Sequence, residues 1–220
     1  MAYRRTDRVL QHLAARHDAI VAAAREIAAE QGLGAVQIVP VAERAGIAAG
    51  TVYRYFPAKT DLVQALVEAV SARELAAFRG AADAAPGPLS ALAAALVTYA
   101  ARALRQRRLA FAVSAEPVDA GVDALRLAAR KAFAAELETR IRAAIAGGHL
   151  PEQDATAAAG ALVGLLIEGL IGPLAPTADG ARARDNVQTV TLLALRALGV
   201  VDARARGLVV QTALPEEDAA

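Results

Sequence analysis

The side chains best suited to binding chemistry lie in one short segment, residues 41–56, which reads VAERAGIAAGTVYRYF. Its pattern predicts two short helices joined at Gly46, because glycine permits a turn that is costly for other residues. Ala42 is small where the helices would cross, and Ile47 and Val52 can fill the core beneath them. The other side chains of the second helix would face solvent, in a helix short enough to enter a DNA major groove; they belong to Ala49, Gly50, Thr51, Tyr53, Arg54 and Tyr55.

The distribution of charge fits this interpretation. Residues 1–60 carry eight Lys/Arg and five Asp/Glu, a formal charge of +3, whereas the whole chain sums to +1. Arg4 and Arg5, together with Arg8, form a basic arm ahead of the first predicted helix. Such an arm can follow the DNA backbone or enter a minor groove. The basic end of the chain is therefore the end that contains the two short helices.

Residues 20–63 resemble the DNA-binding domain of the tetracycline-repressor (TetR) family. The matching pieces are Glu30-Gln31-Gly32, Val41-Ala42-Glu43, Ala45-Gly46-Ile47, Gly50-Thr51-Val52-Tyr53, Tyr55-Phe56-Pro57, Lys59 and Leu62. The resemblance covers about a fifth of the chain. It implies a helix-turn-helix whose second helix, the recognition helix, begins with Gly50 and Thr51.

The resemblance also implies roles for individual side chains. Gln37 stands where a Ser or Thr commonly caps the second helix and contacts phosphate, and Lys59 would add a phosphate contact at the start of the fourth. Tyr53 and Tyr55 match positions that reach the DNA backbone, and Arg54 matches one that reaches bases or phosphates. We expect Tyr53 to be exposed and Tyr55 to be partly packed with its hydroxyl outward.

Three positions depart from the family's pattern. Ala48 and Ala58 replace serines that commonly cap helices, and the loss of such a cap costs about 1 kcal/mol. Ala49 replaces a frequent lysine and so removes one phosphate contact. These departures are expected to weaken DNA affinity more than the fold, and they raise the importance of Arg54 and of the N-terminal arm.

Helical periodicity dominates the chain and predicts an all-α fold. A β-branched run at 35–39 resembles a strand, but Pro40 and the pattern after it favour a helix. Residues 80–88, which contain Pro86, Gly87 and Pro88, form the clearest linker. We predict a helix-turn-helix domain over residues 1–62 and a larger helical domain for effector binding and dimerisation over 63–220. The predicted helices cover about 20–31, 40–45, 49–56, 59–79, 89–108, 109–115, 122–146, 152–172 and 182–199.

Two segments of the larger domain are almost free of charge, since 155–175 contains only Glu168 and 189–201 only Arg196. Small residues four apart allow helices to approach closely, which predicts a four-helix dimer interface from these segments. The residues assigned to this interface are Gly160, Gly164, Leu165, Val190, Leu193, Ala194 and Ala197. Glu168 and Pro173 argue against a membrane span at 155–175, so we interpret it as a buried helix.

Glu168 has two interpretations, because a buried acid without a partner is costly. It can pair across an interface, for instance with Arg196, or it can line a ligand cavity between the helices. The candidate effector-binding residues are Tyr99, Phe111 and Glu168. Aromatic residues make up only 4% of the chain, which favours an aliphatic or small effector.

Composition argues against several other functions. There is no cysteine, and the three histidines leave little for a metal centre. The sequence also lacks a Gly-rich phosphate loop and a nucleophile elbow, so we expect neither enzymatic activity nor a cofactor. The charged N-terminus has no apolar signal segment, which predicts a cytoplasmic protein that does not engage a membrane.

Together these patterns predict a homodimeric, ligand-responsive transcriptional regulator. In its simplest form it is a repressor that a small molecule releases from double-stranded DNA at a near-palindromic operator. The main alternative is a DNA-binding regulator without a small-molecule effector, either an activator or a constitutive repressor. A helical enzyme with a fortuitous motif and a membrane-associated helical protein are the more distant alternatives.

Overall fold

The computed structural model describes residues 2–176 and 182–212, with side chains from Arg8 onward, and these ranges contain helices and no strand. The predicted all-α fold is therefore confirmed. The helices are α1 (Ala2–Gln31), α2 (Ile38–Arg44), α3 (Ala49–Tyr55), α4 (Lys59–Asp83), α5 (Pro88–Arg105), α6 (Arg107–Ser114), α7 (Ala120–Ala146), α8 (Ala155–Leu170), α9 (Ala183–Ala197) and α10 (Asp202–Gln211). A short 3-10 turn, Leu33–Ala35, joins α1 to α2.

The main differences from the prediction are two helix boundaries and one additional helix. The first helix begins at Ala2, so the basic arm continues α1 as a helix. The fourth helix extends to Asp83 because residues 80–83, GAAD, contain no proline, and the predicted linker shrinks to residues 84–87. The tenth helix was not predicted, since it buries only Ala205 and Val209 and so has too short an apolar stripe to stand out.

Buried side chains form two hydrophobic cores. The first core joins α1, α2, α3 and the first half of α4 to α6, and includes Ile20, Ala24, Ile27, Val36, Val41, Val52, Phe56, Leu62, Leu66, Val70, Leu109, Ala112 and Val113. The second core joins the rest of α4 to α5, α7, α8, α9 and α10, and includes Phe78, Leu92, Leu96, Leu137, Ile141, Leu162, Leu166, Leu195 and Leu198.

The fourth helix belongs to both cores, which is the main link between the two parts of the molecule. Its side chains pack into the first core as far as Val70, beyond the predicted domain boundary at residue 62, and into the second core from Phe78. The sixth helix lies later in the chain than α5, yet it completes the first core. Within the described residues, no helix is both long enough and apolar enough to cross a membrane.

Candidate functional site

The turn between α2 and α3 is set by glycine and by a hydrophobic anchor. Gly46 adopts a φ of 65°, a left-handed conformation that favours glycine. The Ile47 amide donates to the carbonyl of Ala42 at 2.9 Å, which closes the turn. Val52 is fully buried and fixes α3 against the first core. The predicted helix-turn-helix is therefore present in the structure.

A second set of contacts fixes α2 onto α1. Arg44 donates to both carboxylate oxygens of Glu30, at 2.8 and 2.9 Å, and its Nη1 also lies 3.4 Å from a carboxylate oxygen of Glu26. The hydrogen bond from Arg44 lowers the pKa of Glu30. Because these groups are exposed, their effect on the free energy of unfolding is small, and their bonds link the end of α2 to α1.

The recognition helix presents two large side chains to solvent. Tyr53 is 52% exposed, and Arg54 is exposed with its guanidinium carbon 5.8 Å from the centre of the Tyr55 ring. Tyr55 is partly buried and packs on the first core, as its sequence predicts. Gly50 is exposed and Thr51 half-buried. Ala49, which the sequence places on the exposed side, instead packs partly against the first core.

Gln37 and Lys59, both assigned to phosphate, lie side by side. Gln37 Nε2 and Lys59 Nζ each donate to the carbonyl of Gly34, at 3.0 and 3.3 Å. Gln37 occupies the N-cap position of α2, where the resemblance places it, but its side chain makes no cap hydrogen bond. Their two polar groups converge at the amino ends of α2 and α4, beside the recognition helix.

The alanines that replace serine caps behave differently from each other. Ala48 precedes α3, and no side-chain cap is present there. At the start of α4, the backbone amide of Ala58 donates to a carboxylate oxygen of Asp61 at 2.9 Å, which supplies part of the missing cap. The structure does not describe the side chains of Arg4 and Arg5, which were predicted to contact DNA. Arg8 is exposed on α1.

A set of hydrogen bonds that we call the junction ties the later part of the chain to the end of α1. The Glu116 carboxylate accepts from the amides of Leu33 and Gly34, at 3.1 and 3.4 Å. Arg108 Nη2 donates to the carbonyl of Gln31 at 2.7 Å. Between them lies Gly32, with a φ of 89°, where an added Cβ would come within 2.6 Å of Glu116 Oε2. The junction therefore requires a glycine.

Arg126 holds the carboxyl end of α6 in place. Its guanidinium donates to the carbonyls of Ala112, Val113 and Glu116, at 2.6, 2.7 and 2.6 Å. The side chain is 7% exposed, and burial lowers the pKa of Arg126 although Asp123 acts in the opposite direction. Sequence reasoning missed this residue, because Arg126 stands in an ordinary amphipathic helical pattern with no distinguishing neighbour.

A cavity of about 880 Å³ lies between the two cores, lined by residues of α1, α4, α5, α6, α7 and α8. The apolar side chains of its wall include Tyr99, Phe133, Leu137, Val163, Leu166 and Ile167. The rings of Tyr99 and Phe133 meet edge to face, 5.3 Å between centres. Burial, with a smaller contribution from Glu74, raises the pKa of Tyr99 to about 12, so its hydroxyl is neutral at physiological pH.

The polar part of the cavity wall is strongly basic. It contains Arg25, Arg73, Arg102, Arg105, Arg126 and Arg130, whereas its carboxylates are those of Asp18 and Glu74. Arg102 donates through Nε and Nη2 to the two carboxylate oxygens of Glu74, at 2.8 and 2.9 Å. The wall thus has a formal excess of four positive charges.

Of the three predicted effector-binding residues, Tyr99 alone lines this cavity. Phe111 is absent from the wall, because α6 turns Leu109, Ala110 and Val113 towards the space instead. Glu168 is exposed on the outer side of α8, since Val163, Leu166 and Ile167 occupy the inner side. Within one chain Arg196 Nε donates to Asp202 at 2.7 Å, so the pairing of Glu168 with Arg196 across an interface stays a prediction.

The residues predicted for a dimer interface fall into two groups. Val190 and Ala194 are buried in the second core of their own chain. The others are at least partly accessible: Gly160, Gly164 and Ala197 are exposed, Leu165 is half-buried and Leu193 is 53% exposed. A Cβ added at Gly160 or Gly164 would meet nothing within 4 Å. An accessible surface of small and apolar residues thus runs along α8 and α9.

The exposed recognition helix, packed on a helical body that encloses a cavity, is the architecture of a helix-turn-helix transcriptional regulator. Residues 20–66 match the family model for bacterial regulatory proteins of the tetR family. Forty-eight residues are 50% identical to the HTH-type transcriptional repressor KstR of Mycolicibacterium smegmatis. Residues 20–66 therefore belong to the amino-terminal domain that defines the TetR family model. The alignment with KstR spans 22% of this chain and 24% of that repressor's length.

Solved structures extend the likeness to the whole fold. The structure of RolR in complex with resorcinol has a TM-score of 0.66 at 23% identity, over 95% of this chain and 100% of that one. The regulator FadR from Bacillus subtilis, in complex with stearoyl-CoA, has a TM-score of 0.67 at 18% identity, over 83% of this chain and 98% of its own. At these identities the similarity concerns the fold alone.

Proposed function

We propose that the protein is a DNA-binding transcriptional regulator whose occupancy of an operator is controlled by a small molecule. The observation that carries this proposal is the exposed pair Tyr53 and Arg54 on α3, flanked by Gln37 and Lys59. Such a surface combines side chains for base edges with side chains for phosphates, the two kinds of contact that specific recognition needs. In the simplest form the regulator is a repressor, as KstR is named.

The working unit of this proposal is a homodimer. The accessible small-residue surface on α8 and α9, with Gly160, Gly164 and Leu193, suits a four-helix interface between two copies. Two recognition helices must lie about 34–36 Å apart to meet successive major grooves on one face of DNA. A two-fold dimer would therefore read a near-palindromic operator.

Ligand control is supported by the cavity and by the junction. A volume of about 880 Å³ is typical of small-molecule sites, and the RolR and FadR structures each hold a small molecule. The cavity borders α1, and the junction joins Glu116 to Leu33 and Gly34, and Arg108 to Gln31, in the segment between α1 and α2. A ligand that prefers one arrangement of these helices would shift the DNA-binding equilibrium by its difference in affinity for the two arrangements.

The test is fluorescence anisotropy with DNA from immediately upstream of the protein's own gene, compared with scrambled duplex at several salt concentrations. Specific binding should exceed non-specific binding by about 10³-fold or more. Arg54→Ala should weaken specific binding on the order of tenfold without changing the circular dichroism spectrum. Arg142→Ala is the matched control, because Arg142 is an exposed arginine on α7 that pairs with Glu138.

Equal affinity for both duplexes at every salt concentration, followed by failure of a genome-wide selection to enrich any sequence, would contradict the proposal. An unchanged affinity in Arg54→Ala would contradict the assigned recognition surface. A clear operator preference that no member of a broad metabolite panel alters would favour the alternative regulator without an effector.

A further inference from the structure

The cavity wall combines apolar side chains with an excess of arginines, and this combination specifies a class of ligand. Phe133, Val163 and Ile167 are among its apolar side chains, whereas its arginines outnumber its carboxylates by six to two. An apolar surface accommodates a hydrocarbon or aromatic body, and guanidinium groups bind carboxylate, sulfonate or phosphate oxygens. A cationic ligand would meet repulsion from this wall.

Some of these arginines are already committed to the protein. Arg126 is bonded to three carbonyls, and Arg102 is paired with Glu74. Arg25 and Arg105, in contrast, make no hydrogen bond or ion pair with another described residue. Arg130 donates only to the carbonyl of Ser114, at 2.9 Å. The wall therefore holds guanidinium groups that can turn towards a bound anion without breaking an ion pair.

Arg25 differs from the other arginines of the wall because it lies on α1, a helix that shares the first core with the recognition helix. The neighbouring side chains of that helix, Ala24 and Ile27, are buried in the first core beneath the recognition helix. Arg130 lies on α7 and also lines the cavity, and its charge acts on the pKa of Tyr99, another residue of the wall. An anion held between Arg25 and Arg130 would contact both parts of the molecule at once.

We propose that the cavity binds an organic anion with an apolar body. The charged group lies at Arg25 and Arg130, and the body packs against Phe133 and Val163. The inference rests on the proposed function for its regulatory consequence, because the contact with α1 is what would report ligand occupancy to the recognition helix. The binding itself can be measured without DNA.

The experiment uses two fluorescent probes of similar size and different charge. These are 8-anilinonaphthalene-1-sulfonate, an anion, and N-phenyl-1-naphthylamine, which is neutral. The full-length wild-type chain should bind the anion with saturable 1:1 stoichiometry and at least about tenfold more tightly. Octanoate should displace the bound anion at a lower concentration than octan-1-ol, which has the same chain length and no charge.

Substitutions locate the charged group. Arg25→Gln and Arg130→Gln should each weaken the binding of the anionic probe about five- to tenfold. Each should leave the affinity for the neutral probe within about twofold of the wild-type value. Arg25→Lys keeps the positive charge and should recover part of the loss. Arg142→Gln, outside the cavity, should change neither affinity, and Val163→Trp, which fills part of the cavity, should weaken the binding of both probes.

Equal affinities of the wild-type chain for the two probes would overturn the proposal, as would anion binding unaffected by both Arg25→Gln and Arg130→Gln. Circular dichroism and thermal melting of each variant separate loss of a contact from loss of the fold. A chain that binds the anions as expected but shows no operator preference would contradict the proposed function alone. If the chain binds its operator specifically but has equal affinity for the two probes, this inference alone is contradicted.

Discussion

The two cores of this molecule place their candidate functions in different kinds of structure. Around the first core, the candidate function lies on exposed side chains such as Tyr53 and Arg54, on a short helix fixed by Gly46 and Val52. The second candidate function lies in the cavity between the two cores, where Tyr99 and Phe133 share the wall with arginines from several helices. A surface motif is local in sequence, whereas a cavity is assembled from distant segments.

The comparison also shows that the two parts are not independent. The fourth helix runs through both cores, and α6 packs into the first core although α5 and α7 on either side of it belong mainly to the second. Through the junction, Glu116 binds the backbone just ahead of α2. Three substitutions test how far stability and coupling are shared.

The largest effect is expected from Phe78→Ala in the second core. Phe78 is fully buried on α4 and meets Phe133 edge to face, 5.6 Å between ring centres. Removing the ring should lower the free energy of unfolding by about 3–5 kcal/mol, measured by urea denaturation. Because α4 is continuous, both parts of the molecule should still unfold together. The helical signal and the structure around Tyr53 and Tyr55 should therefore be lost in one unfolding transition.

Leu174→Ala is the control for that substitution, since Leu174 is an apolar side chain that is 84% exposed. Its effect should stay within about 0.5 kcal/mol. If Phe78→Ala instead separates the unfolding of the two cores into two transitions, α4 does not couple them, and the two parts are more independent than their packing indicates.

A smaller effect is expected at the junction from Glu116→Gln. The substitution keeps the size of the side chain but removes the charge that strengthens its bonds to the amides of Leu33 and Gly34. Hydrogen exchange at these two amides should become about tenfold faster, equivalent to about 1.4 kcal/mol. Glu152→Gln, at an exposed acid in the loop before α8, is the control. Unchanged exchange would mean that the junction does not order residues 31–34.

The smallest effect is expected from Glu136→Gln, and it should depend on pH. Glu136 accepts from Arg79 at 2.7 Å and from Arg140 at 2.8 Å, and it is 13% exposed. Burial raises its pKa, but the hydrogen bonds from the two arginines outweigh burial, so the pKa lies below its ordinary value of 4.5. The charged form is therefore favoured by the folded state.

Because the folded pKa is lowered, this stabilisation is complete well above pH 4.5 and is lost as the pH falls through the folded value. Glu136→Gln should reduce the free energy of unfolding by about 1 kcal/mol at pH 7, and the difference from wild type should shrink as the pH falls below the ordinary pKa of 4.5. Urea denaturation at pH 7, 5 and 3.5 measures it. A difference that stays constant with pH would show that the carboxylate charge is not responsible.

The parts of the structure that could be predicted from sequence are those that depend on neighbours in the chain. Gly46, Val52 and Pro57 mark a turn, an anchor and a helix end within a few residues of one another, and the structure has all three. The fold class followed from helical periodicity for the same reason. The resemblance to the TetR family added roles that local physics alone does not supply.

The parts that could not be predicted depend on which face of a helix meets which neighbour. Glu168 was expected to be buried because its sequence neighbours are apolar, but α8 turns it outward. Arg126 is the reverse, an arginine in an unremarkable pattern that becomes buried because the carbonyls at the end of α6 lie beside it. The basic wall of the cavity likewise draws arginines from four helices that are far apart in sequence.

The position of α6 also constrains the order of events during synthesis. The recognition helix ends at Tyr55, but Leu109, Ala112 and Val113 must be present before the first core closes. At bacterial translation speeds, roughly 5–20 residues per second, the ribosome works for several seconds between those points. A nascent chain therefore contains α3 several seconds before it contains the side chains of α6 that complete the core beneath that helix.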